Sequence, residues 1–205
     1  MEVAGHVFPS GKNYLYIKTE HGPVFVRNIL IITKTNDPRT IAVVREWGAK
    51  TEKGVYEPPK GQMEYREIET NKPTPAQLTN YMKKAVLREI LEETKLHTSD
   101  FKNLRKLPII YKQEWTKSGI KNAQFAYQYW TASVSDAALE RAQKELDMLK
   151  SKHDWVEMLP TDVSEKDKIM WWNPSKGWDK IRSSFSKKMT QGYYDYLESY
   201  GVRNN

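Results

Sequence analysis

Three glutamates, Glu89, Glu92 and Glu93, fall within the stretch Arg88-Glu89-Ile90-Leu91-Glu92-Glu93-Thr94-Lys95-Leu96. On a helix turning about 100° per residue, Glu92 and Glu93 lie within roughly 60° on either side of Glu89. Leu87, Ile90 and Leu91 then occupy the other face, so the segment is amphipathic. A solvated acidic face would carry a basic residue four positions on to relieve the repulsion. Here Glu89 is followed at that distance by Glu93, Glu92 by Leu96 and Glu93 by His97. A hard divalent cation would resolve the conflict, because Mg²⁺ is held by one or two carboxylates, with waters and phosphate oxygens completing its octahedron.

The elements around this stretch are readable from local pattern. Thr74 as N-cap, Pro75 at the first helical position and Gln77 three residues after the cap predict a helix from about 75 to 95. Before it, residues 50–64 hold two glycines and Pro58-Pro59, which predicts an irregular loop after a short strand around Val55 and Tyr56. Residues 22–35 and 40–48 are rich in β-branched side chains and flank Asn36-Asp37-Pro38-Arg39, which reads as a hairpin. Residues 104–115 and 124–134 read as a second hairpin, 135–152 as a helix, and 154–160 as a short strand entering a turn. The tail reads as a helical segment broken at Asn173-Pro174 followed by an amphipathic helix, with Trp171, Trp172 and Trp178 docking it on the domain.

With 205 residues, of which 39% are hydrophobic and 29% charged, the chain suits a single globular domain. No apolar run approaches the roughly 18 residues of a membrane helix. The absence of cysteine excludes disulfides, thiolate zinc sites and thiol nucleophiles. The first residues lack the basic-then-apolar order of a secretory signal, so an intracellular, cytoplasmic location is expected. The net charge is +7, and residues 99–135 are the most basic part, with Lys102, Arg105, Lys106, Lys112, Lys117 and Lys121 against two acids. Such a basic segment beside an acidic pocket suits a polyanion held around a cation.

Taken together, the two conspicuous stretches resemble the signature of the Nudix hydrolases. That signature is Gly, five residues, Glu, seven residues, then Arg-Glu-aliphatic-x-Glu-Glu-x-Gly-aliphatic. Gly61, Glu67, Arg88, Glu89, Glu92 and Glu93 match it, with Ile90 and Leu96 as the aliphatics. The spacer is 20 residues (68–87), an insertion of 13 relative to the pattern, and Lys95 stands where the family has glycine. The Pro-Lys-Gly turn at 59–61 is similar to that of decapping enzymes and dinucleoside polyphosphate hydrolases. Pro73, Thr74 and Pro75 suggest that the insertion forms a bulged loop plus an N-terminal extension of the helix. Lys95 implies that the helix end departs locally from the family's.

The resemblance implies an α/β (α+β) chain, an α/β/α sandwich with a mixed sheet. Its Nudix domain would span 1–160, with the box at 61–96, and residues 161–205 would form a C-terminal helical extension packed on it. It implies divalent-metal-dependent hydrolysis of a diphosphate linkage in a nucleotide-type substrate. The leading substrates are capped or 5′-phosphorylated RNA, as in mRNA decapping, and dinucleoside polyphosphates, with RNA contacts through segment 99–135. The alternative is a catalytically inactive Nudix-fold module that binds RNA or protein. Carried over, Glu92 and Glu93 are the principal Mg²⁺ or Mn²⁺ ligands, Glu89 a further ligand or the base, and the carbonyl at Lys60 or Gly61 completes the shell. Arg88 pairs with Glu67, and Lys60 binds a non-scissile phosphate. Glu64 is an optional ligand. A further glutamate from Glu140, Glu145 or Glu157 joins the site, Glu145 being preferred. Tyr111, Trp115, Phe125, Tyr127, Tyr129 and Trp130 offer faces for a base, although alternate positions on strands favour packing.

Overall fold

The computed structural model describes residues 1–115, 120–152 and 165–201. Among these, nine strands form: β1 (Val3–Val7), β2 (Asn13–Thr19), β3 (Gly22–Lys34), β4 (Asp37–Glu46), β5 (Tyr56–Glu57), β6 (Lys60–Gln62), β7 (Lys102–Glu114), β8 (Gln124–Val134) and β9 (Lys166–Trp172). Three α-helices accompany them, α1 (Pro75–Thr94), α2 (Asp136–Ser151) and α3 (Ser184–Ser199). The strands are ordered β1-β2-β3-β4-β5, with β6 and β8 also pairing β3, β7 pairing β8, and β9 pairing β4. The β8–β3 contacts advance in the same sense along both strands, from Thr131 with Ile31 to Val134 with Thr35, as in parallel pairing. The other pairings with a register here are antiparallel, so the sheet is mixed, it does not close on itself, and the class is α+β.

The chain divides into two compact units. The first comprises Met1–Ile29, Lys60–Glu89 and Ile110–Tyr129. In it β1 and β2 pair from Val3↔Ile17 to Val7↔Asn13, an N-terminal hairpin that the short, glycine-containing sequence does not advertise. Strand β6 pairs β3 through Arg27↔Gln62 and Asn28↔Gly61, so part of the expected irregular loop is extended and fixed. Phe8, Phe25, Trp115 and Phe125 pack as an aromatic cluster, with Phe25 and Phe125 buried, and Arg27 stacks 4.2 Å above Phe125. Helix α1 starts as its cap predicts. The Thr74 N–H donates to Gln77 Oε1 (2.9 Å), and the Gln77 N–H donates to the Thr74 hydroxyl (3.2 Å). The inserted residues thus become a loop, tied at Asn71 O to the Val3 N–H (2.9 Å), and the first turns of α1.

The second unit comprises Leu30–Pro59, Ile90–Ile109 and Trp130–Asn205. Leu30, Ile31 and Ile32 on β3 and Ile41 through Val44 on β4 are all fully buried. Successive strand residues point to opposite faces, so both faces of these strands are covered. Lys166–Trp172 is strand β9, which corrects the expected helical segment there. It pairs β4 from Ile41↔Trp172 to Glu46↔Lys166, and α2 packs against it. A free edge on β4 and aromatic and β-branched side chains at Ile169, Trp171 and Trp172 outweigh the local helical pattern. Helix α3 anchors on the start of β4, where the Tyr193 and Tyr194 hydroxyls donate to the carbonyls of Pro38 and Arg39 (2.8 Å each). Trp172, Trp178 and Tyr194 form its aromatic contact. The short strand expected at 154–160 lies outside the described residues. No helix among the described residues is long and apolar enough to cross a membrane.

Candidate active site

In the first unit, the residues after β6 make one tight turn of 3₁₀ helix, Tyr65–Glu67. Glu67 closes it by accepting the Glu64 N–H on Oε2 (2.7 Å) and presents Oε1 to Arg88 Nε (2.8 Å). Arg88 also donates from Nη2 to Glu89 Oε1 (2.8 Å), so one guanidinium holds both carboxylates in a fork that an ammonium could not span. Glu64 is turned to Arg66 (2.6 Å). Gly61 lies directly against Glu89: a Cβ there would fall 1.9 Å from the carboxyl carbon and 2.2 Å from Oε2. Only glycine permits the Glu89 carboxylate to lie over the β6 backbone, a packing reason for the first residue of the box. Lys60 is half-buried and pairs Ile29 in the β3–β6 register.

In the second unit, Glu93 is buried at 4% exposure. Its Oε1 lies 3.3 Å from Lys166 Nζ, which lies 3.2 Å from Glu57 Oε1. Lys166 is itself 6% exposed and Glu57 4%. Burial alone would push the Lys166 ammonium down, but Glu93 and Glu57 on either side raise it above the ordinary lysine value, so it is charged. Glu57 is further held by the Ser186 hydroxyl (3.1 Å) on Oε2 and by Arg182 (3.6 Å) on Oε1. Glu57, Lys166, Arg182 and Ser186 are functional candidates that the spacing argument misses. Glu57 was hidden beside a proline pair and Lys166 in a segment expected to be helical.

Lys95 sits at φ +60°, in the left-handed conformation that a glycine adopts freely. The helix thus ends in the left-handed conformation for which glycine is preferred, reached here by a lysine. Its Nζ donates to the Glu92 carbonyl (2.6 Å), and the Thr94 hydroxyl donates to the Ile90 carbonyl (2.7 Å) and accepts the Leu96 N–H (3.1 Å). Burial lowers Lys95 below the ordinary lysine value against the opposing influence of Glu92, Glu145, Glu165 and Glu93. Glu165, adjacent to β9, is a fourth acid of this neighbourhood that sequence reasoning did not single out.

Among the remaining candidates, Glu145 on α2 lies 3.5 Å from Arg141 Nε and 3.6 Å from His97 Nε2. Glu140 is exposed on the same helix, and Glu157 lies outside the described residues. Phe125, Tyr127, Tyr129 and Trp130 are buried, as packing favours, whereas Tyr111 and Trp115 are half-buried.

Among the described residues, no three acidic or histidine side chains stand gathered around one point as metal ligands. Glu89 and Glu93 are instead drawn to Arg88 and Lys166. The repulsion inferred from the helix is thus answered from outside its i+4 positions. In kind, the donors still fit Mg²⁺ or Mn²⁺: Glu89, Glu92 and Glu93 offer only carboxylate oxygen, the donor a hard cation takes.

No family model matches the sequence, and no curated protein does. Solved structures do match. The Nudix domain of Shewanella oneidensis NrtR, in complex with ADP ribose, is 11% identical, with 88% of this chain and 90% of that one covered at a TM-score of 0.51. A Nudix hydrolase from Nitrosomonas europaea is 14% identical, with 84% and 89% covered at 0.47. An Ap4A hydrolase from C. elegans is 13% identical, with 85% and 98% covered at 0.43. The mixed sheet with its three helices places the molecule in the α+β class. Within that class, the chain has the Nudix fold.

Proposed function

We propose that the chain is a divalent-metal-dependent pyrophosphohydrolase that cleaves a diphosphate linkage in a nucleotide-type substrate. The observation that carries the reading is the Arg88 fork between Glu67 and Glu89, set against a glycine that a side chain could not replace. This arrangement has no evident purpose on a merely solvated helix. Glu92 and Glu93 would hold Mg²⁺ or Mn²⁺, with Glu89 and the backbone carbonyl at Gly61 or Lys60 as further donors. When bound, the cation neutralises phosphate oxygens and favours the deprotonated form of water. The protein's part is positional. Glu89 accepts a proton from the attacking water once released from Arg88, Arg88 keeps Glu67 and the turn in register, and Lys60 holds a non-scissile phosphate. Glu145 is the downstream candidate for a second base.

Within this class, capped or 5′-phosphorylated RNA and dinucleoside polyphosphates are the leading substrates. Within the second unit, strand β7 presents Lys102, Arg105 and Lys106 to solvent, cations that suit a phosphate backbone. A second reading, a non-catalytic Nudix-fold module binding RNA or protein, is favoured by the pairing of Glu89 and Glu93 with protein cations. Incubation with Mg²⁺ or Mn²⁺ and a panel of capped RNA, dinucleoside polyphosphates, sugar nucleotides and nucleoside triphosphates, with products identified by mass, separates the two. Turnover of a diphosphate-linked substrate that Glu93→Gln abolishes in a folded protein is the expected result. Unchanged turnover in that variant would remove Glu93 from the site, and no turnover on any substrate would favour the binding module.

A further inference from the structure

A buried ammonium beside a carboxylate assigned to a metal is a conflict. A divalent cation approaching Glu93 meets Lys166 Nζ, 3.3 Å from the same carboxylate and enclosed with it. Like charges this close in a water-poor setting cannot both use Glu93 at full strength. The neighbourhood offers the lysine an alternative, since Glu57 Oε1 is as near to Nζ as Glu93 is. Glu57 is moreover fixed from behind by Ser186 and Arg182, so it stays in place if the lysine leans toward it. The arrangement is a shared cation between two acids, one of which is assigned to a metal and the other of which is not.

Building on the metal-site reading above, we propose that Lys166 is a resident counter-cation of Glu93 that competes with the divalent metal, and that Glu57 is the acceptor to which it retreats when metal binds. Lys166 and Glu57 thereby set the metal affinity of the site. The prediction is a pair of opposite effects. Lys166→Gln removes the competitor and tightens Mn²⁺ binding by about tenfold. Glu57→Gln weakens the retreat, commits the ammonium to Glu93 and loosens Mn²⁺ binding by roughly threefold to tenfold.

The test is titration of Mn²⁺ into the full chain without nucleotide, with free and bound Mn²⁺ read by electron paramagnetic resonance, and with a thermal melt confirming that each variant is folded. The two variants are then repeated in a Glu93→Gln background, where competition through Glu93 predicts that both effects shrink toward zero. Opposite shifts that vanish in that background support the proposal. Equal affinities, shifts of the same sign, or shifts that persist undiminished without the Glu93 carboxylate overturn it. If Lys166→Gln does not fold, Glu57→Gln alone decides, because unchanged or tighter binding in it contradicts the retreat. Wild-type protein that binds no Mn²⁺ overturns the metal site and this inference together. Mn²⁺ bound through Glu93 with both variants unmoved overturns only the role of Lys166.

Discussion

Glu89 and Glu93 stand one turn apart on the same helix with the same charge, yet each is neutralised by different means. Glu89 takes a guanidinium from the preceding residue, part-exposed and shared with Glu67. Glu93 takes an ammonium from β9, a strand far along the chain, and the pair is enclosed with a third charge, Glu57. The first arrangement is sequence-local and directional, so its value lies in geometry. The second is non-local and desolvated, so its value depends on all three partners being present, because a buried charge stripped of its partner is far more costly than an exposed one. A crowded acidic helix therefore need not signal missing counter-charge, since the cations can arrive from other elements.

The largest effect that would test this contrast is on stability. Lys166→Met leaves Glu57 and Glu93 buried without their shared cation and is expected to cost about 3–5 kcal/mol, read from urea unfolding. A cost below about 1 kcal/mol would show that the cluster behaves like a surface pair and erase the distinction. The pH dependence has a defined sign. The folded ammonium is raised above its unfolded value, so its stabilisation is present through neutral pH and is lost only as pH climbs into the strongly alkaline range.

Next in size is the guanidinium fork. Arg88→Lys keeps the charge but cannot reach Glu67 and Glu89 at once, and the expected cost is about 1–2 kcal/mol. Turnover should fall more than stability does, since the turn that ends in Glu67 loses its register with α1. Equal stability and activity in the lysine variant would mean that charge alone, without the fork, suffices on this side. Gly61→Ala probes the same corner from the loop. A methyl group must push Glu89 off its rotamer, at about 0.5–1.5 kcal/mol, and the bond from Arg88 to Glu89 should weaken with it. An alanine variant indistinguishable from wild type in melting and turnover would show that the Glu89 carboxylate is not held against the β6 backbone.

The same contrast explains what could be read from the residues. Helix α1 was legible because Thr74, Pro75 and Gln77 specify its start within four residues. The β3–β4 hairpin was legible because the turn chemistry sits between two β-branched runs. The Arg88–Glu67 and Arg88–Glu89 pairs involve residues that the box pattern itself names. Strand β9 was not legible, because its conformation depends on pairing with β4, and a segment carrying lysines, aspartate and tryptophans has no strong local preference. Lys166 and Glu57 were unreadable for the same reason: neither has a motif, and each acquires meaning only from the other and from Glu93. Glu145 is a candidate of a third kind, chosen by position along the chain, and its neighbours Arg141 and His97 come from the fold and from its own helix.

The smallest expected effect concerns Lys95, which joins a local strain to a charge. At φ +60° its side chain costs roughly 1 kcal/mol relative to glycine. Against that, Nζ caps the helix end by donating to the Glu92 carbonyl, a bond that contributes about 0.5–1.5 kcal/mol. Burial of the ammonium offsets part of that bond, so relief of strain should win narrowly. Lys95→Gly is expected to stabilise by up to about 0.5 kcal/mol, seen as a small rise in melting temperature. A clear fall would show that the lysine's bond to the helix end outweighs its backbone strain. That result would place Lys95 with Lys166, as a cation retained for its partners rather than tolerated in a glycine's position.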